Sequence, residues 1–221
     1  MNKLLTSVFA FAVACVTVVS AHAETIKGDA IAGGNKNAMC VGCHGIIGYQ
    51  SSFPEVYKVP KISGQGSAYL VAALAAYKKG ERKHPTMRAI ADSLTEQDMA
   101  DLAAYYEASG KTDAAPAVKA AHEPNAAAAE LLNKGACLSC HGAGFAKPID
   151  PTYPLLAGQY SDYLYAALKA YKNDTHRTWG RGNGIMGGVA QQFTNAELKT
   201  LARYIASLDG SLKTVPESRF R

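Results

Sequence analysis

The chain has 221 residues, 48% of them hydrophobic, and a formal net charge of +5, enough material for one large domain or two small ones. The basic surplus is small and scattered, which excludes nucleic acid as a partner class. It still permits steering of an acidic protein or peripheral contact with an anionic membrane surface. No segment after residue 23 is long and apolar enough to span a bilayer, so a mature chain beginning there is expected to be soluble.

The N-terminus predicts the compartment. Lys3 supplies a positive start, Leu4 to Ser20 is almost wholly apolar, and Ala21-His22-Ala23 offers a small-x-small cleavage site before Glu24. Residues 1–23 therefore read as a secretory signal peptide, and the mature protein as exported. An uncleaved anchor competes with this reading, but the apolar run is at the lower limit for a spanning helix and the cleavage site follows it directly. Lipid attachment at Cys15 is disfavoured by the poor lipobox Ala12-Val13-Ala14.

The rest of the chain is one unit written twice, the copies offset by roughly a hundred residues. Residues 24–109 form the first domain. A helix is expected from about Asp29 into Cys40-Val41-Gly42-Cys43-His44, and the chain then passes Pro60-Lys61-Ile62-Ser63-Gly64-Gln65. A second helix starts after Gly66, Met87 falls in a loop, and a third helix opens at Thr95-Glu96-Gln97-Asp98 with the spacing of a capping box. Residues 110–123, rich in Ala, Pro and Lys, read as the linker.

Residues 124–221 repeat the plan. A helix from about Asn125 leads into Cys137-Leu138-Ser139-Cys140-His141, and Pro154-Leu155-Leu156-Ala157-Gly158-Gln159 follows. Ser161 is a plausible cap for the second helix, Met186 falls in a loop, and Thr194-Asn195-Ala196-Glu197 opens the third. The predicted class is all-α: two tandem domains, each of about three helices. Each core is thin for its length, and a buried porphyrin would supply the missing apolar mass.

The cysteines carry the chemistry. In an oxidising compartment the default for the four beyond Cys15 is two disulfides, but their spacing argues otherwise. On a helix, positions i, i+3 and i+4 share a face, so Cys40, Cys43 and His44 point one way, as do Cys137, Cys140 and His141. Two thiols so placed can form thioethers to the two vinyl groups of a haem, and the adjacent imidazole reaches the iron. A thioredoxin-like dithiol would need a βαβ setting, zinc would need the two pairs close in sequence, and disulfides give no reason for the repeated histidine. Two covalent haem c groups are expected.

For the other axial position, Met87 and Met186 recur at matching places. Met39 adjoins Cys40, and Met99 corresponds to Leu198 and reads as core. His84 and His176 are rival ligands without a repeat counterpart, aligning with Asn183 and Arg82, and read as solvated loop residues; His122 sits in the linker. Pro60 and Pro154 are candidates to hold the proximal histidines through their carbonyl oxygens.

These residues resemble the dihaem cytochrome c4 family. The resemblance runs from residue 24 to about 209: paired Cys-x-x-Cys-His motifs, Gly-Gln steps before a Tyr-Leu helix, and a methionine before each last helix. It implies two cytochrome c-like domains, each wrapped round one haem and related by a pseudo-twofold, with the haem edges close across the interface. It also implies a periplasmic electron carrier between a quinol-oxidising complex and a terminal oxidase, with outer-sphere transfer and no bond chemistry. Two alternatives stay open: a dihaem electron-accepting subunit of an enzyme oxidising sulfur compounds, and a dihaem oxidoreductase. Two features lack a counterpart in the first copy. One is the Gly-rich stretch Trp179–Gly184, read as an insertion or a cover over the second haem, with Arg177 and Arg181 nearby read as solvated in preference to contacting propionates or a partner. The other is the tail Asp209–Arg221.

Overall fold

The computed structural model describes residues 26–111 and 122–216. Residues 1–25, 112–121 and 217–221 lie outside the described residues, and with them the expectations for 1–23 and Cys15 and most of that for 110–123. The chain is mostly helical and falls into two similar halves.

In the first half α1 (Ala30–Lys36) is capped by the Asp29 side chain, which accepts the backbone N–H groups of Ile31 and Ala32. The expected run into the cysteine motif breaks at buried Asn37, and α2 (Ala38–His44) carries Cys40, Cys43 and His44. Next come α3 (Ser67–Lys79), α4 (Pro85–Asp92) and α5 (Glu96–Ser109). The second half repeats this as α6 (Ala126–Lys134), α7 (Cys137–His141), α8 (Ser161–Lys172), α9 (Gly184–Gln191) and α10 (Asn195–Ser207).

Both capping boxes form, Thr95 with Asp98 and Thr194 with Glu197. Helix α6 begins where expected, with Asn125 as its cap, while the cap of α8 is Tyr160, with Ser161 its first residue. The two methionines are not in loops. Pro85 opens α4 at a position where a missing N–H costs nothing, and His84 caps it; Asn183 caps α9 in the same way.

Helix α1 crosses α5 at close range because Gly33 has no side chain. A Cβ there would lie 2.1 Å from the Asp101 carbonyl oxygen. The second half packs one continuous core of Leu131, Leu132, Phe145, Leu164, Leu198, Leu201 and neighbours. The first has two smaller clusters, Leu70, Ala103 and Tyr106, and Leu94, Met99 and Leu102, both packed against Cys40.

The halves are joined by a polar seam. Strands β1 (Gln50–Ser51) and β2 (Tyr57–Lys58) form a small hairpin. Strands β3 (Arg82–Lys83) and β4 (Gly180–Arg181) pair antiparallel between the halves, Arg82 opposite Arg181. The Gly-rich stretch is thus a seam strand rather than a cover over the second motif. Gly180, at φ +129°, is required there, since a Cβ would meet the Asn173 carbonyl at 2.1 Å.

Ion pairs Lys58–Asp162 (3.2 Å) and Lys169–Glu55 (2.5 Å) cross the same seam. The C-terminal segment crosses too: the Lys213 N–H donates to the Ser63 carbonyl at 3.0 Å. Among the described residues no helix is long and apolar enough to cross a membrane.

Candidate functional site

Cys40, Cys43, His44 and Met87 line one cavity of about 460 Å³ in the first half. This is the space left between the two small core clusters. Its far wall comes from the second half, including Leu155, Tyr163 and Trp179. A volume of this order suits a cofactor-sized apolar ligand. In the second half Cys137, His141 and Met186 line a cleft of only about 40 Å³, closed by Phe145, Leu156 and Leu168, and Cys140 stands outside its wall. The repeats carry the same residue types, but the first cavity has a volume of cofactor order, whereas the second would have to part its lining side chains to admit a macrocycle.

The four cysteines are unpaired thiols. Burial pushes the Cys40 thiol up to about 11 and raises that of Cys137, so both are neutral at ordinary pH. Among the described residues no three His, Cys, Asp or Glu side chains are grouped to hold a bare metal ion.

The His44 ring carries its proton on Nδ1, donated to the Pro60 carbonyl at 2.8 Å. Burial lowers the pKa of His44, and the Pro60 bond only partly offsets this, so the imidazole is neutral with Nε2 left as a lone-pair donor. That is the state an iron ligand needs. His141 is likewise lowered, first by burial. The Pro154 carbonyl is near enough to raise it, yet the buried Nδ1 makes no hydrogen bond of normal geometry.

The rival histidines sort differently. His84 is half-buried and lines the same cavity, not solvated as expected. Its Nδ1 accepts the Met87 N–H at 3.3 Å, and the Phe53 carbonyl also acts on the ring. His176 is exposed against Trp179, and His122 is exposed and bonded to Ser207. Met39 is half exposed at 52%, while Met99 and Leu198 are core.

Arg82 was not expected at the site, and Arg181, read as solvated in preference to a propionate contact, lines it as well. Arg82 is 9% exposed and its Nε is buried without a partner. It donates to the Tyr69 hydroxyl at 3.2 Å, as Arg181 does to Tyr163 at 3.0 Å. Their guanidiniums lie over Tyr77 and Tyr171, centroids 5.0 and 5.3 Å away, and neither makes an ion pair among the described residues. Burial opposes ionisation of the Tyr163 phenol, but the charges of Arg181 and Arg82 pull its pKa down to about 8. One buried and one half-buried cation, neither with a carboxylate among the described residues, make a positive field at the cavity wall, suited to an anionic group. A sequence signal existed: each arginine stands at the same distance before its methionine.

A cytochrome c family model matches residues 31–108 and again 125–209. A cytochrome c4 of Pseudomonas aeruginosa is 33% identical over 94% of this chain and 100% of its own length. A thiosulfate dehydrogenase electron acceptor of Stutzerimonas stutzeri is 30% identical over 85% of this chain and 90% of its own. The crystal structure of reduced recombinant cytochrome c4 from Pseudomonas stutzeri superposes with a TM-score of 0.59 at 28% identity, covering 82% of this chain and all of that one.

Proposed function

From the premise that the chain belongs to the cytochrome c4 family and is a dihaem electron-transfer protein with two covalent haem c groups, not an enzyme, we propose that it is a periplasmic carrier passing electrons from a quinol-oxidising complex toward a terminal oxidase. Its partners are redox proteins. The observation that carries the site assignment is the common wall that Cys40, Cys43, His44 and Met87 give one cofactor-sized cavity.

In this reading residues 24–109 and 124–221 each hold one haem, joined by the 110–123 linker. Cys40 and Cys43, and in the second half Cys137 and Cys140, form the thioethers. His44 and His141 are the proximal ligands, Met87 and Met186 the distal ones. Haem supplies one-electron chemistry at its iron.

The chain's own residues do the rest. Pro60 keeps the His44 proton on Nδ1 and so leaves Nε2 available. The caps His84 and Asn183 hold the backbone N–H groups of Met87 and Met186, which fixes the turn that presents each thioether. A thioether favours the ferrous state and raises the potential. Arg82 and Arg181, short of a carboxylate among the described residues, are suited to receive haem propionates. The second half supplies part of the wall of the first cavity and so covers part of it.

The test is an optical redox titration of the purified mature protein, following the iron–sulfur charge-transfer band of the ferric form. Two reversible low-spin haems with that band are expected; one high-spin or low-potential haem refutes the ligand set. The 30% identity to a thiosulfate dehydrogenase electron acceptor favours a second reading, as the electron-accepting partner of an enzyme oxidising sulfur compounds. Reduction by such an enzyme with its substrate, and not by a quinol-oxidising complex, would select it.

A further inference from the structure

The two glutamines of the repeated Gly-Gln steps are buried, and each crosses the seam. The Gln159 Oε1 accepts the Lys61 N–H at 3.0 Å, and its Nε2 donates to the Lys61 carbonyl at 2.9 Å. In mirror image the Gln65 Oε1 accepts the Leu155 N–H at 2.9 Å, and its Nε2 donates to the Leu155 carbonyl at 3.0 Å. Each Oε1 also takes one local N–H, of Tyr160 or Gly66, which fills the oxygen's two lone pairs and locks the side chain. Gln65 and Gln159 are only 3% and 4% exposed.

What these glutamines grip is not neutral scaffold. The Lys61 N–H and the Pro60 C=O belong to one peptide group, and the Pro60 carbonyl accepts the His44 Nδ1–H at 2.8 Å. A continuous chain therefore runs from Gln159 in the second half, through peptide 60–61, to His44 in the first. The Leu155 N–H and the Pro154 C=O form the equivalent peptide beside His141, gripped by Gln65 of the first half. Pro60 and Pro154 have no N–H of their own, so the N–H of Lys61 or Leu155, which the glutamine takes, is the donor at each step.

We propose that Gln159 and Gln65 are positioning residues acting in trans, each setting the acceptor strength and aim of the carbonyl that faces the proximal histidine of the other half, a carbonyl bonded to His44 at 2.8 Å in the first half and beside the buried His141 Nδ1 in the second. This rests on the reading of His44 and His141 as iron ligands. Hydrogen bonds in series polarise one another, so a peptide whose N–H is engaged has a better accepting carbonyl. A better acceptor at Nδ1 makes the imidazole a stronger donor, which favours ferric iron and lowers the potential. Each half thereby holds down the potential of its neighbour's haem through the interface that joins them. Separation of the halves would raise both.

The experiment compares Gln159→Leu and Gln65→Leu holoproteins by haem-resolved redox titration and by the Nδ1–H proton resonances of the reduced state. Gln159→Leu should raise the potential of the His44 haem and move the His44 Nδ1–H resonance, leaving the other haem unchanged. Gln65→Leu should do the same at the His141 haem alone. Gln159→Glu, which keeps an acceptor for the Lys61 N–H, should not raise the first potential. Asp162→Asn, which breaks a seam ion pair without touching either peptide, controls for simple loosening. A shift at both haems, at neither, or at the glutamine's own haem overturns the proposal, as does an equal shift in Asp162→Asn. If the wild-type His44 resonance lacks the large shift expected of an iron-bound imidazole, it is the ligand assignment that fails.

Discussion

Arg82 and Arg181 face one another as register partners in the two-strand ladder that joins the halves, each bonded to a tyrosine hydroxyl rather than to a carboxylate. Like charges so placed repel unless an anion sits between or beside them. With the propionates as that anion, Arg82→Gln should lower the summed haem potentials by about 1–2 kcal/mol of ferrous preference, at an effective dielectric near 20. It should also weaken thermal stability of the holoprotein. Redox titration together with a melting curve reads both, and a holoprotein that gains stability would contradict the role.

Met87→Ala should lower the potential of the first haem by on the order of 0.1 V, a fraction of the span axial ligands command. It should also abolish one of the two iron–sulfur bands and admit an external ligand such as imidazole. Met186→Ala should do the same at the second haem. Two intact bands in either variant would remove that methionine from the ligand set.

Asp101 ties the ends of the first half together. Its carboxylate accepts from Lys36 at 2.7 Å, from the Asp29 N–H at 2.9 Å and from Gln97 at 2.7 Å. Chiefly through Lys36, these bonds hold its pKa below the usual carboxylate value. A group with a depressed folded pKa contributes stability that is complete above its unfolded pKa, about 4, and is lost as pH falls through the folded value. Asp101→Asn should therefore destabilise the protein at neutral pH and flatten the decline in stability below pH 4, as read by denaturant titrations across pH.

Gly33→Ala puts a methyl group 2.1 Å from a backbone oxygen of α5, where nothing soft can yield. The crossing of α1 and α5 must open, at a cost of about 1–3 kcal/mol or more. The first haem's environment should loosen with it. A lower Tm with the second haem's resonances unchanged is the expected outcome.

The local grammar of the chain was readable in advance: the duplication, the helix starts near Asp29 and Asn125, both capping boxes and the Pro60 carbonyl all follow from contacts within a few residues or within one repeat. Helices α4 and α9 escaped notice because Pro85 and the glycines of Gly184-Ile185-Met186-Gly187-Gly188 resemble loop composition, while the caps that fix them are a histidine and an asparagine. The seam was illegible for a different reason. Pairing of β3 with β4, and the reach of Gln65 and Gln159, join residues roughly ninety apart or more, and no local pattern encodes a partner at that distance. Aligning the repeats on the tyrosines instead of the methionines set Arg82 against His176 and hid its match with Arg181.

The pairing of Lys213 with Ser63 has a temporal meaning. A polypeptide emerges N-terminus first, so Ser63 is available long before Lys213 exists. The half that is made first can finish this edge only once residue 213, beyond α10, has been made. Completion of this edge of the first half is thus chained to synthesis of the second.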